Sequence, residues 1–344
     1  MQVESKAKLA PLTTLRLGGP AARLVVARDA EELVAAVTGS AEPVLLLAGG
    51  SNVVVSDAGF AGTVVLVRSA GVRAQRRGEL VEVTAEAGHS WDDLVAYAVA
   101  EDLSGLECLS GIPGSVGATP LQNVGAYGQE VSDTIRSVTV LDRHTGEVRS
   151  MAAGECGFGY RHSAFRGTDR YAVLDVTYAL RPGRSSGGLR YGELSRVLGV
   201  EPDGSAPLGD VREAVLALRR GKGMVIDEHD LDTRSVGSFF TNPVLDPDQW
   251  AELRRRLDED PPQWPEPGGR TKTSAAWLIE RAGFAKGYGR DGVAISSKHT
   301  LALTHRGGGS TSALLALARE IRDGVLARFG VELVNEPILV GEKL

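Results

Sequence analysis

The sequence predicts an α+β fold assembled from several parts, and three observations support this prediction. Continuous apolar runs, such as residues 44–47 and 53–55, are typical of buried strands. Segments such as residues 29–37 and 312–329 instead repeat apolar residues at helical spacing behind a polar capping residue. The length of 344 residues is enough for two or three domains of roughly 100–200 residues each.

Composition and charge narrow the class of protein before any motif is considered. A hydrophobic content of 42% and a charged content of 24% are ordinary for a globular protein, and a net charge of −6 argues against a nucleic-acid partner. Cys108 and Cys156 form no C-x-x-C motif and are too few for a disulfide framework, which favours reduced thiols and a cytoplasmic location. The sequence predicts no signal peptide, no membrane insertion, no metal site and no obligate protein partner.

The first hundred residues predict strands and capped helices around a glycine-rich turn. Asp29 caps a predicted helix over residues 29–37, and Ser90 caps a second one over residues 89–102. Between them, the apolar run at 44–47 leads into Gly-Gly-Ser-Asn at 49–52. The amides and two polar side chains of such a turn could dock a pyrophosphate, although the same four residues also form ordinary turns.

Residues 105–128 are the most glycine-rich stretch and the strongest functional signal. Their glycines match neither the G-x-G-x-x-G of a Rossmann turn nor the G-x-x-x-x-G-K-[ST] of a P-loop. Glycine costs about 1 kcal/mol relative to alanine inside a helix, so this composition does not favour a helix. It suits backbone that approaches a phosphate-bearing ligand and binds it through amide N–H groups, and a glycine-rich turn without a ligand is the alternative.

Two clusters of polar residues follow the glycine-rich stretch. The segment YRHSAF at 160–165 stands between a predicted hairpin over 138–151 and a predicted strand over 171–180, and a solvated loop is the alternative reading of its arginine. A predicted helix over 211–220 ends in a group of cations, which also complement the dipole of the helix.

The last third of the chain contains a second sharp motif, GSFFTNP at 237–243. It places Ser238 beside two phenylalanines, and from the residues alone a structural serine is favoured because no G-x-S-x-G or triad spacing accompanies it. Helices are predicted over 273–282 and 312–329. The final strand is interrupted by Pro337, which removes a ladder donor, so Glu336 is expected to point into a cleft.

Taken in order, these motifs resemble those of one known family. SGIPGSVGATPLQNVGAYG at 110–128 is similar to the flavin-binding signature of the UDP-N-acetylenolpyruvoylglucosamine reductase family, and GGSN at 49–52 is similar to the loop with which that family grips a pyrophosphate. T-x-R-x-G-G at 14–19, Y-R-x-S at 160–163, GSFFTNP and the terminal E-P also resemble family motifs, so the resemblance covers the whole chain.

The resemblance implies an FAD-binding fold of the vanillyl-alcohol-oxidase/PCMH type in two parts, followed by a C-terminal substrate-binding domain. We expect the first FAD-binding part over residues 1–70, joined by the terminal strand 332–344, and the second over 71–222. The substrate-binding domain is expected over 223–331.

The resemblance also implies the chemistry. The chain is expected to be an NADPH-dependent flavoenzyme with non-covalent FAD that reduces UDP-N-acetylglucosamine-enolpyruvate to UDP-N-acetylmuramate in peptidoglycan synthesis. Hydride would pass from NADPH to the flavin N5 and then to C3 of the enolpyruvyl group, while Ser238 protonates C2 and Arg161 and Glu336 stabilise the enolic intermediate. This activity belongs to cell wall biogenesis, and through it to cell shape, the cell cycle and cell division.

Residue by residue, the resemblance assigns two further groups. The expected cofactor-binding residues are Gly49, Gly50, Ser51, Asn52, Gly111, Gly114, Ser115, Gly117, Ala118, Gln122, Asn123 and Gly125. The expected substrate-binding residues are Tyr160, Tyr191, Arg219, Lys222, Asn242 and His299. One departure is Thr241, where many members of the family have a lysine.

Two other functions remain open at this point. An FAD-dependent oxidase of the same fold superfamily would lack the serine of GSFFTNP and would consume oxygen instead of NADPH. A non-catalytic binder of flavin or sugar nucleotide would bind FAD but would not turn over NADPH. Bleaching of the flavin by NADPH separates the reductase from both alternatives.

Overall fold

The computed structural model describes residues 2–344, which form two units that alternate along the chain. The first unit contains residues 2–7, Ala21–Gly49 and Ala61–Val225. The second contains Lys8–Pro20, Gly50–Phe60 and Ile226–Leu344. The two units do not divide the chain at residue 70, where the sequence analysis expected a domain boundary. Residues 8–20 and 50–60 belong to the same unit as the C-terminal part of the chain. The expected three-part division stays a prediction.

The strands of the described residues are numbered here in chain order. They are β1 (Gln2–Lys8), β2 (Pro20–Ala27), β3 (Val44–Leu47), β4 (Val53–Val55), β5 (Phe60–Val67), β6 (Val72–Arg77), β7 (Leu80–Glu86), β8 (Leu103–Ser104), β9 (Gly125–Ala126), β10 (Gln129–Glu130), β11 (Ile135–Asp142), β12 (Glu147–Ala152), β13 (Tyr171–Pro182), β14 (Val244–Leu245), β15 (Gln263–Glu266), β16 (Arg270–Thr273), β17 (Gly289–Arg290), β18 (Val293–Ile295), β19 (Leu303–His305) and β20 (Ile338–Val340).

The α-helices are α1 (Ala30–Thr38), α2 (Trp91–Ala100), α3 (Gly192–Leu198), α4 (Leu208–Gly221), α5 (Pro247–Arg255), α6 (Ala275–Arg281) and α7 (Thr311–Phe329). Short 3₁₀ turns occupy Ala10–Leu12, Glu107–Leu109, Val116–Ala118, Val131–Asp133, Ala153–Glu155, Leu231–Thr233 and Pro267–Gly269. The predicted caps are confirmed, since the side chains of Asp29, Ser90 and Ser310 accept hydrogen bonds from the first turns of α1, α2 and α7.

The first unit contains two sheets that share one core. One sheet has the order β1-β2-β5-β3, and β3 and β5 run parallel. The other has the order β12-β11-β13-β7-β6, with β8 paired to the end of β13, and its pairs are antiparallel. Helices α1 and α2 bury Leu33, Trp91 and Leu94 in the core between these strands. The Trp91 side chain fixes the start of α2, because its ring N–H donates to the carbonyl of Leu109 at 3.0 Å.

The second unit is built around the long helix α7. Its buried residues, including Leu314, Ile321 and Val325, pack with Phe239 and Phe240 in one apolar cluster. Small sheets β14-β16-β15 and β17-β18-β19 surround this cluster. The terminal strand β20 runs parallel to β4, with Ile338 opposite Val53.

Two predictions of secondary structure need correction. The terminal stretch predicted as one interrupted strand forms a strand only after Pro337, over β20, while Asn335 before it makes one isolated bridge, to Phe240. Helices α3 and α5 were not predicted. The signal for α5 is present in the sequence, since Asp246 caps the helix, Pro247 follows it and Gln249 completes a capping box.

Candidate active site

The glycine-rich loop at 111–118 lies in the first unit and is held by backbone hydrogen bonds. The amide of Val116 donates to the carbonyl of His89 at 2.9 Å, and the amide of Gly117 donates to the carbonyl of Ala87 at 2.8 Å. Gly114 has φ +125°, a conformation that residues with a side chain rarely adopt. These hydrogen bonds hold the loop against residues 87–89, between the end of β7 and the start of α2.

The two glycine-rich turns of the sequence meet within this unit. A Cβ added to Gly49 would lie 2.7 Å from Cα of Gly114, so Gly49 cannot carry a side chain without displacing Gly114. A Cβ on Gly117 would lie 2.5 Å from Cβ of Ala87. Beside them, the buried hydroxyl of Ser115 has no hydrogen-bond partner among residues 2–344. A buried hydroxyl without a partner is unusual, because the missing bond costs free energy.

The rest of the GGSN turn lies in the second unit. A Cβ on Gly50 would lie 2.2 Å from the carbonyl oxygen of Leu12, which explains the glycine. The carbonyl of Gly50 accepts from the amide of Thr14 at 3.1 Å, and the carbonyl of Asn52 accepts from the amide of Ile338 at 3.0 Å. The turn is thus attached to the T-x-R-x-G-G segment and to the terminal strand.

Ser238 lies in an extended segment whose two neighbours are the chain at 301–302 and the chain at 334–336. The amide of Phe239 donates to the carbonyl of Leu301 at 2.7 Å, and the amide of Glu336 donates to the carbonyl of Phe239 at 2.9 Å. The Ser238 hydroxyl lies 3.4 Å from Nε2 of His299. The structure therefore brings Ser238, His299 and the backbone of Glu336 together within the second unit.

The loop that carries His299 is anchored by Asp232, a buried carboxylate that the sequence analysis missed. Asp232 accepts from the amide of Ser297 at 2.8 Å, from its hydroxyl at 2.6 Å and from the Arg306 guanidinium at 2.5 Å. Burial opposes ionisation, but the hydrogen bonds from Ser297 and Ser296 and the charge of Arg306 hold the pKa of Asp232 below its usual range. Asp232 stays ionised and fixes the turn before His299.

Arg161 lies in the first unit, against the second half of the glycine-rich stretch. Its guanidinium donates to the carbonyl of Gly125 at 2.9 Å and to that of Asn123 at 3.5 Å. The guanidinium carbon also lies 5.5 Å from the ring centroid of Tyr160, within the range of a cation–π contact. The backbone of Arg161 has φ +50°, which is uncommon for a residue with a side chain.

A cationic and aromatic cluster forms at the end of helix α4. Nζ of Lys222 lies 2.8 Å from a carboxylate oxygen of Glu193 and 5.7 Å from the ring centroid of Tyr127. The rings of Tyr127 and Tyr191 make an edge-to-face contact at 5.2 Å. The sequence analysis assigned Tyr191 and Lys222 to this region but missed Tyr127 and Glu193.

Arg219 is buried beside the glycine-rich loop. Its guanidinium donates to the carbonyl of Met224 at 3.0 Å, whereas its Nε has no partner among the described residues. Burial lowers the pKa of Arg219 to about 10, so the side chain remains charged at neutral pH. A Cβ on Gly111 would lie 3.6 Å from Cδ of this side chain. The site thus holds a buried positive charge next to the glycines.

The expected site residues are divided between the two units. The first unit contains Gly49, Gly111, Gly114, Ser115, Gly117, Ala118, Gln122, Asn123, Gly125, Tyr160, Arg161, Tyr191, Arg219 and Lys222. The second contains Gly50, Ser51, Asn52, Ser238, Asn242, His299 and Glu336. Asn242 also has a structural contact, since its side-chain oxygen accepts from the amide of Ala275 at the start of α6.

Membrane-spanning helices and metal-binding clusters are both absent from the described residues. Among residues 2–344, no helix combines the length and apolar character that crossing a bilayer requires. Within the same residues, no group of three or more histidine, cysteine or acidic side chains is arranged to hold a metal ion. Both cysteines are free and buried.

Comparison with known proteins shows the family of the chain. A family model described as UDP-N-acetylenolpyruvoylglucosamine reductase, C-terminal domain, matches residues 229–340, and one described as FAD binding domain matches residues 21–152. The UDP-N-acetylenolpyruvoylglucosamine reductase of Thermobifida fusca is 55% identical over 98% of this chain and 97% of its own length, and that of Salinispora arenicola is 55% identical over 98% and 95%.

Solved structures give the same result. The chain resembles the crystal structure of UDP-N-acetylenolpyruvylglucosamine reductase from Thermus caldophilus with a TM-score of 0.68 and 25% identity, over 99% of both chains. The FAD-binding α+β fold with a C-terminal domain, predicted from the sequence, is confirmed by these matches. The resemblance of its motifs is confirmed as well, and the chain belongs to the UDP-N-acetylenolpyruvoylglucosamine reductase family.

Proposed function

We propose that this chain reduces the enolpyruvyl ether of UDP-N-acetylglucosamine-enolpyruvate to UDP-N-acetylmuramate, a step of peptidoglycan synthesis, with FAD as cofactor and NADPH as co-substrate. Membership of the reductase family at 55% identity over nearly the whole chain supports the reaction. The environment of Ser238 is the observation that supports assigning the reaction to particular residues. Its hydroxyl lies beside His299, and the next residue of its segment accepts a backbone hydrogen bond from Glu336.

The glycine-rich loop of the first unit fits the pyrophosphate of FAD. A side chain at Gly49 or Gly117 would meet neighbouring atoms, Gly114 has φ +125°, and the buried hydroxyl of Ser115 lacks a partner that a phosphate oxygen would supply. FAD, when bound, accepts hydride from NADPH and provides the hydride for the substrate carbon. The other expected cofactor residues complete this proposal: Gly50, Ser51, Asn52, Gly111, Ala118, Gln122, Asn123 and Gly125.

Ser238 is proposed as the proton donor to C2 of the substrate. A hydroxyl is a weak acid near neutral pH, but the carbanionic carbon left after hydride addition is a much stronger base than an alkoxide. A weak acid is therefore sufficient once it is held in position. The backbone bonds on both sides of the segment, at Phe239 and Thr241, supply this rigidity.

Charge stabilisation is proposed for Arg161 and Glu336. The guanidinium of Arg161 is planar and permanently charged, so it matches the carboxylate onto which the developing negative charge spreads. Glu336 lies one residue before Pro337, and its backbone is bonded to Phe239 within the second unit. Its side chain would hold the enolic oxygen by a hydrogen bond if the carboxyl group is protonated.

The cationic cluster of the first unit is proposed to bind the nucleotide part of the substrate. Lys222 and Arg219 supply positive charge, and Tyr191 supplies an aromatic surface beside them. Phosphates favour such groups because their negative charge pairs with fixed cations. Tyr160, Asn242 and His299 are proposed as further substrate contacts, the amide nitrogen of Asn242 being the donor because its oxygen caps α6.

We also propose a cytoplasmic location and no nucleic-acid, membrane or obligate protein partner. The two free, buried cysteines support a reducing compartment. The net charge of −6 disfavours binding to nucleic acid.

Rapid mixing of a Ser238→Ala variant tests the proposed function. If Ser238 only protonates C2, reduction of the bound FAD by NADPH should stay close to the wild-type rate. Reoxidation of the reduced flavin by the enolpyruvyl substrate should slow by on the order of 10²-fold or more, the usual scale for removing a positioned general acid. Ser238→Cys should restore part of the rate, because a thiol can donate a proton.

A matched control is Ser310→Ala, which removes the cap of α7 but no proposed site residue. It should lower thermal stability by about 1 kcal/mol and leave both half-reactions unchanged. Equal slowing of both half-reactions in Ser238→Ala would show that Ser238 is not the acid. Absence of NADPH bleaching in the wild-type flavoprotein would refute the reductase assignment itself.

A further inference from the structure

The turn that carries Arg161 is strained and tightly closed. Arg161 has φ +50°, a left-handed conformation that is unfavourable for a residue with a side chain. Gly159 and His162 exchange two backbone hydrogen bonds, at 3.0 and 3.1 Å, on either side of it. The carbonyl of Arg161 accepts from the Arg166 guanidinium at 2.8 Å. Such a conformation persists only where several surrounding contacts determine it.

Asn123 provides one of those contacts from the glycine-rich stretch. Its side chain is buried, and its amide nitrogen donates to the carbonyl of Gly159 at 3.1 Å. The same nitrogen donates to the carboxylate of Glu130 at 2.7 Å, and the amide oxygen accepts from the backbone of Ser132 at 3.1 Å. These partners determine the orientation of the amide, since only its nitrogen can donate.

The backbone at Asn123 contacts the same arginine from its other end. The carbonyls of Asn123 and Gly125 accept from the Arg161 guanidinium at 3.5 and 2.9 Å. A Cβ on Gly125 would lie 3.3 Å from that guanidinium, so the loop and the side chain are in close contact. Asn123 itself has φ +45°, a conformation that asparagine adopts more readily than most residues.

We propose that Asn123 is a positioning residue for Arg161. The side-chain amide of Asn123 bonds to the turn at Gly159, and its backbone carbonyl accepts from the Arg161 guanidinium. One buried residue therefore contacts both the backbone turn and the side-chain end of the arginine. Glu130 and Ser132 in turn prevent the amide from rotating. This inference rests on the proposed function, in which Arg161 stabilises the developing negative charge of the substrate. It gives Asn123 a role in addition to the FAD contact proposed above.

Two variants separate the effect of the Asn123 side-chain amide from the effect of its backbone conformation. Asn123→Gly keeps the left-handed backbone and the carbonyl but removes all three side-chain hydrogen bonds. Asn123→Asp has the same shape and can still accept from Ser132, but it cannot donate to Gly159 and it places a second carboxylate beside Glu130. Thr177→Val is the matched control, because it removes a 2.8 Å hydrogen bond to Thr84 in the same unit.

Three measurements test the proposal. In rapid mixing of FAD-saturated protein, both Asn123 variants should slow reoxidation by the enolpyruvyl substrate about 10- to 100-fold, the scale of a small misplacement of a reacting group, and should slow it more than they slow the reduction of FAD by NADPH. In an Arg161→Ala background, Asn123→Gly should add no more than about twofold, since both changes remove the same function. Hydrogen exchange of the amides at 159–162 should accelerate in Asn123→Gly and not in Thr177→Val.

The outcomes distinguish this inference from the proposed function. A full additional slowing by Asn123→Gly in the Arg161→Ala background, or equal slowing of both half-reactions, would overturn the positioning role. A wild-type enzyme that is not reoxidised by the enolpyruvyl substrate would overturn the proposed function instead. In that case hydrogen exchange still decides whether Asn123 holds the turn: acceleration at 159–162 supports it, and unchanged exchange contradicts it.

Discussion

Asp92 connects the glycine-rich loop to two helices, and its removal is a sharp test of how the loop is held. One carboxylate oxygen accepts from the amide of Gly111 at 2.6 Å and from the Arg212 guanidinium at 2.7 Å, and the other accepts from Arg212 at 2.8 Å. Asp92 lies in the first turn of α2 and Arg212 lies on α4. Burial opposes ionisation, yet the bonds from Arg212 and Gly111 lower the pKa of Asp92 below its ordinary value.

The expected loss of stability follows from the number of hydrogen bonds that the substitution removes. A hydrogen bond to a charged group contributes about 1.5–3 kcal/mol, and Asp92→Ala removes the bond to Gly111 together with the bidentate pair, so the free energy of unfolding should fall by about 3 kcal/mol. Asp92→Asn keeps one acceptor for Gly111, so we expect a loss of about 1–2 kcal/mol. Because the loop is proposed to bind FAD, the Kd for FAD should rise by on the order of tenfold for each 1.4 kcal/mol of loop stability lost.

The assay is urea unfolding of the apoprotein, followed by FAD titration monitored by flavin fluorescence. Asp93→Asn is the matched control, because Asp93 is an exposed carboxylate on the same turn of α2. Since the folded-state pKa of Asp92 is lowered, its contribution is present at neutral pH and is lost as the pH falls below the unfolded value of about 3.9. Equal stability of Asp92→Ala and Asp93→Asn at pH 7, with unchanged FAD affinity, would refute the reasoning.

Three further predictions concern single contacts. Gly114→Val should yield colourless protein, because valine rarely adopts φ +125° and the loop packs closely against Gly49, and normal visible flavin absorbance would contradict this. Arg170 holds the pKa of Asp142 at about 2, so the thermal midpoint of the wild type should fall between pH 4 and pH 2 more steeply than that of Asp142→Asn; parallel curves would argue against it. Asp57→Ala removes bonds to Thr311 and Ser312 at the start of α7 and should lower the free energy of unfolding by about 1–2 kcal/mol in calorimetry, whereas no change would show that Ser310 caps the helix alone.

Sequence reasoning succeeded where the physical cause is local. The caps at Asp29, Ser90 and Ser310 need only a polar side chain one turn before an apolar face, so they were predicted correctly. Helix α5 was missed although Asp246 and Gln249 form a capping box, because its apolar face is short. The terminal strand was predicted too long, since residues 334–336 make only an isolated bridge between Asn335 and Phe240, with backbone hydrogen bonds to Phe239 and Thr241, and no ladder.

The sequence by itself determined the fold class, the family and the list of motif residues. Motifs of small residues, such as those around Gly114, can be recognised in the sequence, because the absence of a Cβ is given by the residue type alone. The partners of charged and polar side chains were decided by the tertiary structure. Asp232 lies 65 residues from Ser297, and Asp92 lies 120 residues from Arg212, so no local pattern marks either pair.

The same reason explains what the sequence left undecided about the site. It gave no sign that His299 lies 3.4 Å from the hydroxyl of Ser238, or that the amide of Asn123 holds the turn of Arg161. Hydrogen bonds of this kind form only when donor and acceptor, on segments far apart in the chain, are placed to within a few tenths of an ångström. Those distances are set by how strands and helices pack, and packing exists only in the folded chain.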